Sequence, residues 1–281
     1  MACLCAWFYR ASRYQEILIV SFKKIRTYCV AIIVLLVISF ALPQLFHIHK
    51  GNSISIGTRF NGSLENGYLL PYSGENFQSF SWISYYLMDN AYVHNKVGEV
   101  VLEAYEDLEE TFPENHYVYM ECSDQYGGRL NFHRSHRNGL SIDFMCPKVK
   151  DSQPYTKLDN LGFAHYFLEF DTAGVLLLKY PYLERLSMRM AVMFTRLFLE
   201  PNVSIDYERI AQHLLALQKA TEGSTVFIKK VIFKIDLKKK LFKGVYGKKL
   251  LQSGVPFATQ LNKTTNDMHD EHYHIDFQLK E

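Results

Sequence analysis

Residues 272–279, with the sequence HYHIDFQL, alternate in character and predict a β-strand near the end of the chain. Alternation along a strand places His272, His274 and Asp276 on one face. Glu271, immediately before the strand, then points away from that face. Two imidazoles on one face can serve as one metal ligand and one acid or base group.

A second segment, 136–143 (HRNGLSID), contributes another imidazole and a carboxylate. His136 and Asp143 are seven residues apart, which fits neither a helix nor a single strand. Gly139 is therefore predicted to turn the chain before a strand over 140–145 carries Asp143. Imidazole and carboxylate suit a divalent ion such as zinc, and three protein ligands leave a fourth position for water. If this segment meets the terminal strand in space, the two together form a catalytic zinc site.

The remaining patterns predict an α+β fold, a mainly antiparallel sheet with flanking helices and the zinc site on the sheet. Apolar residues at helical spacing predict helices over 97–112 and 204–220, the second with Ser204 as N-cap. An apolar, Met-rich and basic stretch predicts a core or lid helix over 186–199, with a membrane-surface helix as the alternative. β-Branched and aromatic runs predict further strands over 117–122, 163–170 and 231–235.

Composition restricts the class of protein. A chain of 281 residues with 48% hydrophobic content can bury a hydrophobic core. Its length fits one sizeable domain plus a tail, or two small domains. The net charge of +2 is too small to indicate nucleic acid as a partner. Cys122 and Cys146 both flank the His136 region, and the sequence leaves open whether they form a disulfide or remain buried thiols.

The N-terminal region contains an uncharged run over 28–46 that follows several basic residues. This length just spans a hydrocarbon core as a helix, so the run predicts a transmembrane signal anchor. The positive-inside rule then predicts a cytoplasmic basic tail over 1–27 and an extracytoplasmic metallopeptidase domain over 47–281. The protein is thus expected to be single-pass in the inner membrane with its catalytic domain in the periplasm. The alternative is a signal peptide cleaved near Ser39-Phe40-Ala41, with secretion to the periplasm.

The stretch 127–143 (GGRLNFHRSHRNGLSID) resembles the penicillin-insensitive murein endopeptidases, which are grouped with lysostaphin, the D-Ala-D-Ala metallopeptidases and hedgehog-type domains. Their pattern is Ser-x-His-x-x-Gly-x-x-x-Asp with small departures, followed later by His-x-His. Residues 135–143 (SHRNGLSID) and 269–274 (HDEHYH) are similar to these two motifs. The resemblance covers most of 54–279, although only the two metal segments are specific, and 155–201 departs from the family.

The resemblance implies a zinc ion bound by His136, Asp143 and His274. It implies that His272 is the catalytic base or a stabiliser of the transition state. Family members cut peptide cross-links in peptidoglycan without a serine nucleophile, so penicillin does not acylate them. The chain is therefore expected to hydrolyse cross-links such as D-alanyl-meso-diaminopimelate bonds, with peptidoglycan stem peptides as its partners and the inner membrane contacted through the N-terminal helix.

Further residues have supporting roles in this interpretation. His133 and His269 resemble additional active-site histidines of the family. Glu271 is an alternative base, because the D-Ala-D-Ala metallopeptidases place a glutamate three residues before the last zinc ligand. Arg129 or Arg137 is a candidate for binding a substrate carboxylate, unless both are solvated loop charges. Two alternative functions are open: a D,D- or L,D-carboxypeptidase of the same superfamily, and a non-catalytic zinc-containing domain that binds the cell wall.

Overall fold

The computed structural model describes residues 23–39, 42, 44–130, 133, 135–179 and 189–280. The chain divides into two compact units, Met1–His47 and Ile48–Glu281. Residues 1–22, which make up most of the predicted basic tail 1–27, lie outside the described residues.

The described residues 23–39 of the first unit are helical and are called α1. Within the described part of the chain, no helix has both the length and the apolar character needed to cross a membrane. The predicted transmembrane anchor over 28–46 is therefore wrong, and so is the single-pass inner-membrane localisation that followed from it.

The second unit is α+β, as predicted. Within the described ranges its helices are α2 (Trp82–Tyr86), α3 (Asn95–Thr111), α4 (Arg189–Phe198), α5 (Tyr207–Ala220), α6 (Ile235–Leu241), α7 (Val245–Gln252) and α8 (Lys263–Met268), with a 3-10 helix at Gly162–Phe167. Its strands are β1 (Ile54–Thr58), β2 (Asn61–Glu65), β3 (Tyr68–Leu69), β4 (Phe77–Ser79), β5 (Tyr92–Val93), β6 (Tyr117–Tyr119), β7 (Ser141–Met145), β8 (Lys148–Lys150), β9 (Gln153–Pro154), β10 (Leu168–Phe170), β11 (Leu176–Leu178), β12 (Ser204–Ile205), β13 (Val226–Ile232) and β14 (His272–Leu279).

The central sheet joins strands in the order β13-β14-β7-β6-β4. β14 is antiparallel to β13 and β7, and β7 is antiparallel to β6, whereas β4 is parallel to β6. A parallel pair needs a long crossover, and the chain between β4 and β6 provides one that contains α2 and α3. The sheet is therefore mixed, where the sequence predicted a mainly antiparallel sheet.

Helices α3 and α5 pack against each other through their apolar stripes. On α5, Ile210, Leu214 and Leu217 are fully buried, as the helical spacing predicts. Tyr273 of β14 donates a hydrogen bond of 2.7 Å to Nδ1 of His213 on α5, so this helix packs on the Tyr273 face of β14. Residues on either side of Tyr273 point to the opposite face, which leaves that face of the sheet for polar side chains.

Several predicted elements differ in type or extent. The strand predicted over 117–122 ends at Tyr119, and the strand predicted over 231–235 is β13, which ends at Ile232 before α6 begins at Ile235. The stretch 163–170 begins as the 3-10 helix and only its end forms β10. Phe163 and Tyr166 are three apart and pack together against one small apolar cluster, which suits a 3-10 turn. The helix predicted from Ser204 begins at Tyr207, because Ser204 and Ile205 pair with β8 as a short strand. The N-cap is Asp206, whose side chain accepts a hydrogen bond from the Arg209 amide.

The two cysteines of the second unit are buried and free. Of the two possibilities left open by the sequence, the structure thus has separate thiols at Cys122 and Cys146. Burial raises the pKa of both thiols well above the usual value, which leaves them protonated and unreactive near neutral pH.

Helix α4 occupies most of the stretch predicted to be helical over 186–199, and residues 186–188 lie outside the described ones. It packs against the 3-10 helix. Val192 is buried, whereas Met190, Met193 and Leu197 are exposed by 85%, 67% and 80%. α4 is therefore a surface helix, so of the predicted alternatives the core helix is wrong, while the lid helix and the membrane-surface helix stay predictions.

Candidate metal centre

Strands β7 and β14 bring the two metal segments together. They are antiparallel neighbours in which Asp143 pairs with His274 and Ser141 pairs with Asp276. Directly opposed residues of antiparallel strands point to the same face. Nδ1 of His274 consequently lies 2.7 Å from Oδ1 of Asp143.

His136 enters the site from the turn before β7. Its φ of +68° is in the left-handed region, which is uncommon for a residue other than glycine. Ser123 Oγ holds this turn, since it donates to the His136 carbonyl and accepts from the Gly139 amide at 2.8 Å. The imidazole Nδ1 is 3.2 Å from the Ser141 carbonyl oxygen, and Nε2 is 3.2 Å from Oδ2 of Asp143. Nε2 is buried and has no hydrogen-bond partner among the described residues.

His274 is held at its other nitrogen by Asp276. Nε2 of His274 lies 2.8 Å from Oδ1 of Asp276, which also accepts a hydrogen bond of 2.9 Å from Ser141 Oγ. The second oxygen of Asp276 pairs with Arg59. Burial favours a neutral imidazole, but the charges of Asp143 and Asp276 outweigh it and raise the pKa of His274 to about 9. With Nε2 engaged, only Nδ1 of this ring faces Asp143.

Asp143 lies at the centre of these histidines and is 2% exposed. Burial opposes its ionisation, but His136, His272 and His274 hold the pKa of the carboxyl well below its usual range. The carboxylate is therefore ionised throughout the physiological pH range. A buried negative charge with several nitrogen donors around it is the environment in which a cation is stabilised.

His133 completes a group that can bind a metal. One ligand atom from each of His133, His136 and Asp143 lies within 4.8 Å of the others. Nδ1 of His133 is 3.8 Å from Oδ2 of Asp143. Burial lowers the pKa of His133 to about 4, so this ring is neutral near pH 7 and has a free lone pair. His133 was predicted to have a supporting role at most, and the structure places its Nδ1 3.8 Å from Oδ2 of Asp143.

His272 approaches Asp143 from β14. Its Nε2 is 3.9 Å from Oδ2 of Asp143, and its Nδ1 is 3.1 Å from Oε1 of Glu271. Burial favours the neutral ring, but the charges of Glu271 and Asp143 outweigh it and raise the pKa of His272 to about 9. Glu271 thus contacts the side of the ring that is turned away from Asp143.

Three residues near the site have no counterpart in the sequence prediction. Glu121 is 2% exposed, and its Oε2 lies 4.0 Å from Nε2 of His133. Burial raises the pKa of Glu121 to about 8. Tyr166 Oη is 3.5 Å from Nε2 of His133. Lys179 forms ion pairs with Asp270 and Glu271, which precede β14. Only Glu121 has a sequence signal, as an acidic residue at the end of an otherwise apolar strand-like run, YVYMEC.

The remaining predicted residues lie around this group. The His269 ring is 4.8 Å from the ring of His272, and its Nδ1 is 2.6 Å from the Thr265 carbonyl oxygen. Burial lowers the pKa of His269 to about 3, which keeps the ring neutral. Arg129 is exposed on the loop that precedes the site, while Arg137 is partly buried next to His136. The structure therefore collects the predicted histidines around Asp143 and leaves Arg129 at the surface.

A search of protein-family models finds no match to this chain, and a search of curated proteins finds none either. What the structure shows is a His-His-Asp group, His133, His136 and Asp143, within metal-binding distance.

Proposed function

We propose that this protein is a zinc-dependent peptidoglycan hydrolase that cleaves peptide cross-links. In this proposal His136, Asp143 and His274 bind the zinc ion and His272 transfers a proton. The observation that carries the proposal is the orientation of two imidazoles. Each directs one nitrogen at Asp143 while its other nitrogen is held, by the Ser141 carbonyl for His136 and by Asp276 for His274.

This arrangement fits zinc on the chemistry of its donors. Two imidazole nitrogens and one carboxylate oxygen match the ligands of catalytic zinc sites, which keep a fourth position open. Metal-binding histidines usually donate their second N–H to a carbonyl or carboxylate, and both rings do so here. Nε2 of His136 supports the same interpretation, since it is buried 3.2 Å from Oδ2 of Asp143 without hydrogen-bond geometry, and a metal would satisfy it.

His274 is preferred to His133 as the third ligand. Its Nδ1 is 2.7 Å from Asp143, and Asp276 fixes the ring. The closest nitrogen of His133 is 3.8 Å from Asp143, and its other contacts are 3.5 Å to Tyr166 Oη and 4.0 Å to Glu121. His133 is consequently assigned to the rim of the site, where it can contact substrate.

The chemistry follows from these positions. A zinc ion bound here would polarise the scissile carbonyl and lower the pKa of a water ligand toward ~7. His272 supplies the proton transfer, because Glu271 engages Nδ1 and leaves Nε2 directed at the centre. General acid–base catalysis of this kind contributes about 10²–10⁴-fold to a rate. Peptidoglycan stem peptides carry free carboxylates, for which the exposed Arg129 and the partly buried Arg137 are the predicted partners.

The test is the mass analysis of purified cross-linked muropeptides after digestion with the full-length chain, with and without a chelator. We expect each cross-linked dimer to take up one water and yield two monomers, and we expect the chelator to stop this reaction and added zinc to restore it. His272→Ala should retain zinc and lose turnover by at least about 10²-fold. His116→Ala, which changes a histidine outside the centre, should cleave normally.

Other outcomes separate the alternatives. Release of a terminal residue without separation of the dimer would identify a carboxypeptidase. Stoichiometric binding of muropeptides without new termini would identify a binding domain. Cleavage that is unaffected by the chelator would contradict the proposed role of zinc, and an unimpaired His272→Ala variant would move the proton transfer to Glu271.

A further inference from the structure

A partly buried lysine from the segment 155–201 contacts the two residues that precede β14. Lys179 follows β11, and its backbone amide donates a hydrogen bond of 2.8 Å to the Phe167 carbonyl. Its side chain is 14% exposed, and its Nζ is 2.8 Å from Oδ1 of Asp270 and 3.5 Å from Oε2 of Glu271. The segment 155–201 departs from the family pattern, yet it places a positive charge beside the residues that precede β14.

The lysine is linked to the site through Glu271. The two oxygens of Glu271 have different partners, Oε2 facing Lys179 and Oε1 accepting from Nδ1 of His272 at 3.1 Å. His272 then directs Nε2 toward Asp143, 3.9 Å away. The contacts Lys179–Glu271–His272 therefore form one continuous path to the metal centre.

Asp270 and Glu271 are adjacent carboxylates, each 2% exposed in its side chain. Two buried carboxylates cannot both remain ionised without a compensating cation. Burial and the neighbouring Glu271 raise the pKa of Asp270 to about 8, whereas Lys179 and His272 outweigh burial and hold the pKa of Glu271 well below its usual range. Lys179 therefore compensates the charge of Glu271, and its Nζ also lies 2.8 Å from Oδ1 of Asp270. If the lysine were absent, Oε2 of Glu271 would lose its cation and the carboxylate would no longer be fixed against His272.

We propose that Lys179 is a positioning residue for His272. It holds the Glu271 carboxylate so that this carboxylate accepts the Nδ1–H of His272, which leaves Nε2 free to face the metal centre. The catalytic consequence rests on the proposed hydrolase function, whereas the effect on the imidazole does not. An ordinary stabilising ion pair is the competing explanation, and it predicts a loss of stability without a change in the properties of the folded site.

The first test is kinetic and uses the zinc-loaded full-length protein. We expect Lys179→Met to retain zinc and to keep KM within about twofold, while kcat falls at least about 10-fold because His272 is held in the wrong orientation. Lys179→Arg keeps the charge and should recover most of kcat. Lys157→Met is the matched control, since Lys157 lies in the same segment and pairs with Glu200 at the surface, and its kcat should be unchanged.

A double variant separates positioning from charge balance. Lys179→Met combined with Asp270→Asn removes the lysine and one of the two adjacent buried carboxyl groups, which relieves their crowding and should restore stability. Positioning predicts that kcat stays low in this variant, because Glu271 still lacks its contact. Recovery of kcat together with stability would overturn the proposal. Lys179→Met should also cause little further loss in a Glu271→Gln background, since contacting residues on one path are not additive.

The second test measures the tautomer of the His272 imidazole and needs no substrate. In ¹⁵N NMR of the zinc-loaded protein, His272 should carry its proton on Nδ1 in the wild type and lose this preference in Lys179→Met. If the wild type hydrolyses no muropeptide but shows this change, the proposed function fails and the positioning role stands. If the wild type hydrolyses muropeptides, and both kcat and the His272 tautomer are unchanged in Lys179→Met, the positioning role fails and the proposed function stands.

Discussion

At the scale of single residues, Asp276 is the partner that gives His274 its orientation. It contacts Nε2 of His274 and Oγ of Ser141 through the same oxygen, and it pairs with Arg59 through the other. Carboxylates that hold a ligating histidine fix its tautomer and raise its basicity as a ligand. The period of two along β14 predicts that Asp276 lies on the same face as His274, but not that the two side chains are in contact.

Asp276→Asn should weaken zinc binding by about 10–100-fold, because the amide holds the imidazole less strongly than the carboxylate does. Competition with a chromophoric chelator measures this affinity. Asp267→Asn is the control, since Asp267 is exposed on α8 and pairs with Lys263. Equal affinities in the wild type and Asp276→Asn would show that Asp276 does not support a zinc ligand.

The residues missed from the sequence have a common physical reason. Lys179 meets Glu271 across 92 positions of sequence, and Tyr166 meets His133 across 33. Helix and strand periodicity relates only side chains within one element. Contacts between different elements therefore could not be predicted from the sequence pattern. His136, Asp143, His272 and His274 were found because two short motifs each have an internal spacing with chemical meaning.

At the scale of elements, β14 was predicted with its exact bounds, because its residues alternate without interruption. The start of α5 was predicted too early, because Ser204 and Ile205 pair with β8 and so replace the first predicted helical turn. The same competition between local pattern and tertiary pairing explains why only Leu168–Phe170 of the predicted strand over 163–170 is extended. Local spacing therefore located the strands that carry the site better than it located the boundaries of the surrounding segments.

The contact between α5 and β14 makes stability depend on pH through His213. Burial lowers the pKa of His213 to about 3, whereas an unfolded histidine titrates near ~6.5. Between these values the unfolded chain binds the extra proton, so this group lowers stability as the pH falls from about 6.5 to 3. The slope from one such proton is up to about 1.4 kcal/mol per pH unit.

His213→Gln should therefore flatten the dependence of the free energy of unfolding on pH between about 6 and 4. Urea unfolding in the presence of a chelator measures it without interference from bound metal. Tyr273→Phe removes the hydrogen bond but keeps the buried imidazole, so it should retain the steeper slope of the wild type. Parallel curves for His213→Gln and the wild type would rule out this contribution.

At the scale of the whole molecule, the α+β unit Ile48–Glu281 contains every residue of the candidate centre. The class of fold followed from the alternation of strand and helix patterns. The parallel pairing of β4 with β6 could not be predicted from these patterns, because it depends on the crossover through α2 and α3. The membrane prediction from the uncharged run over 28–46 was wrong, since no helix among the described residues is long and apolar enough to cross a membrane.

The central claim is that strands β7 and β14 and the preceding turn together hold one metal ion. The most direct measurement is the zinc content of the purified full-length chain after loading and dialysis against zinc-free buffer, by mass spectrometry of the metal. We expect about one zinc per wild-type chain, less than about a tenth as much in Asp143→Ala, and the wild-type amount in His116→Ala. Wild-type protein without zinc, or equal zinc in the wild type and Asp143→Ala, would contradict it.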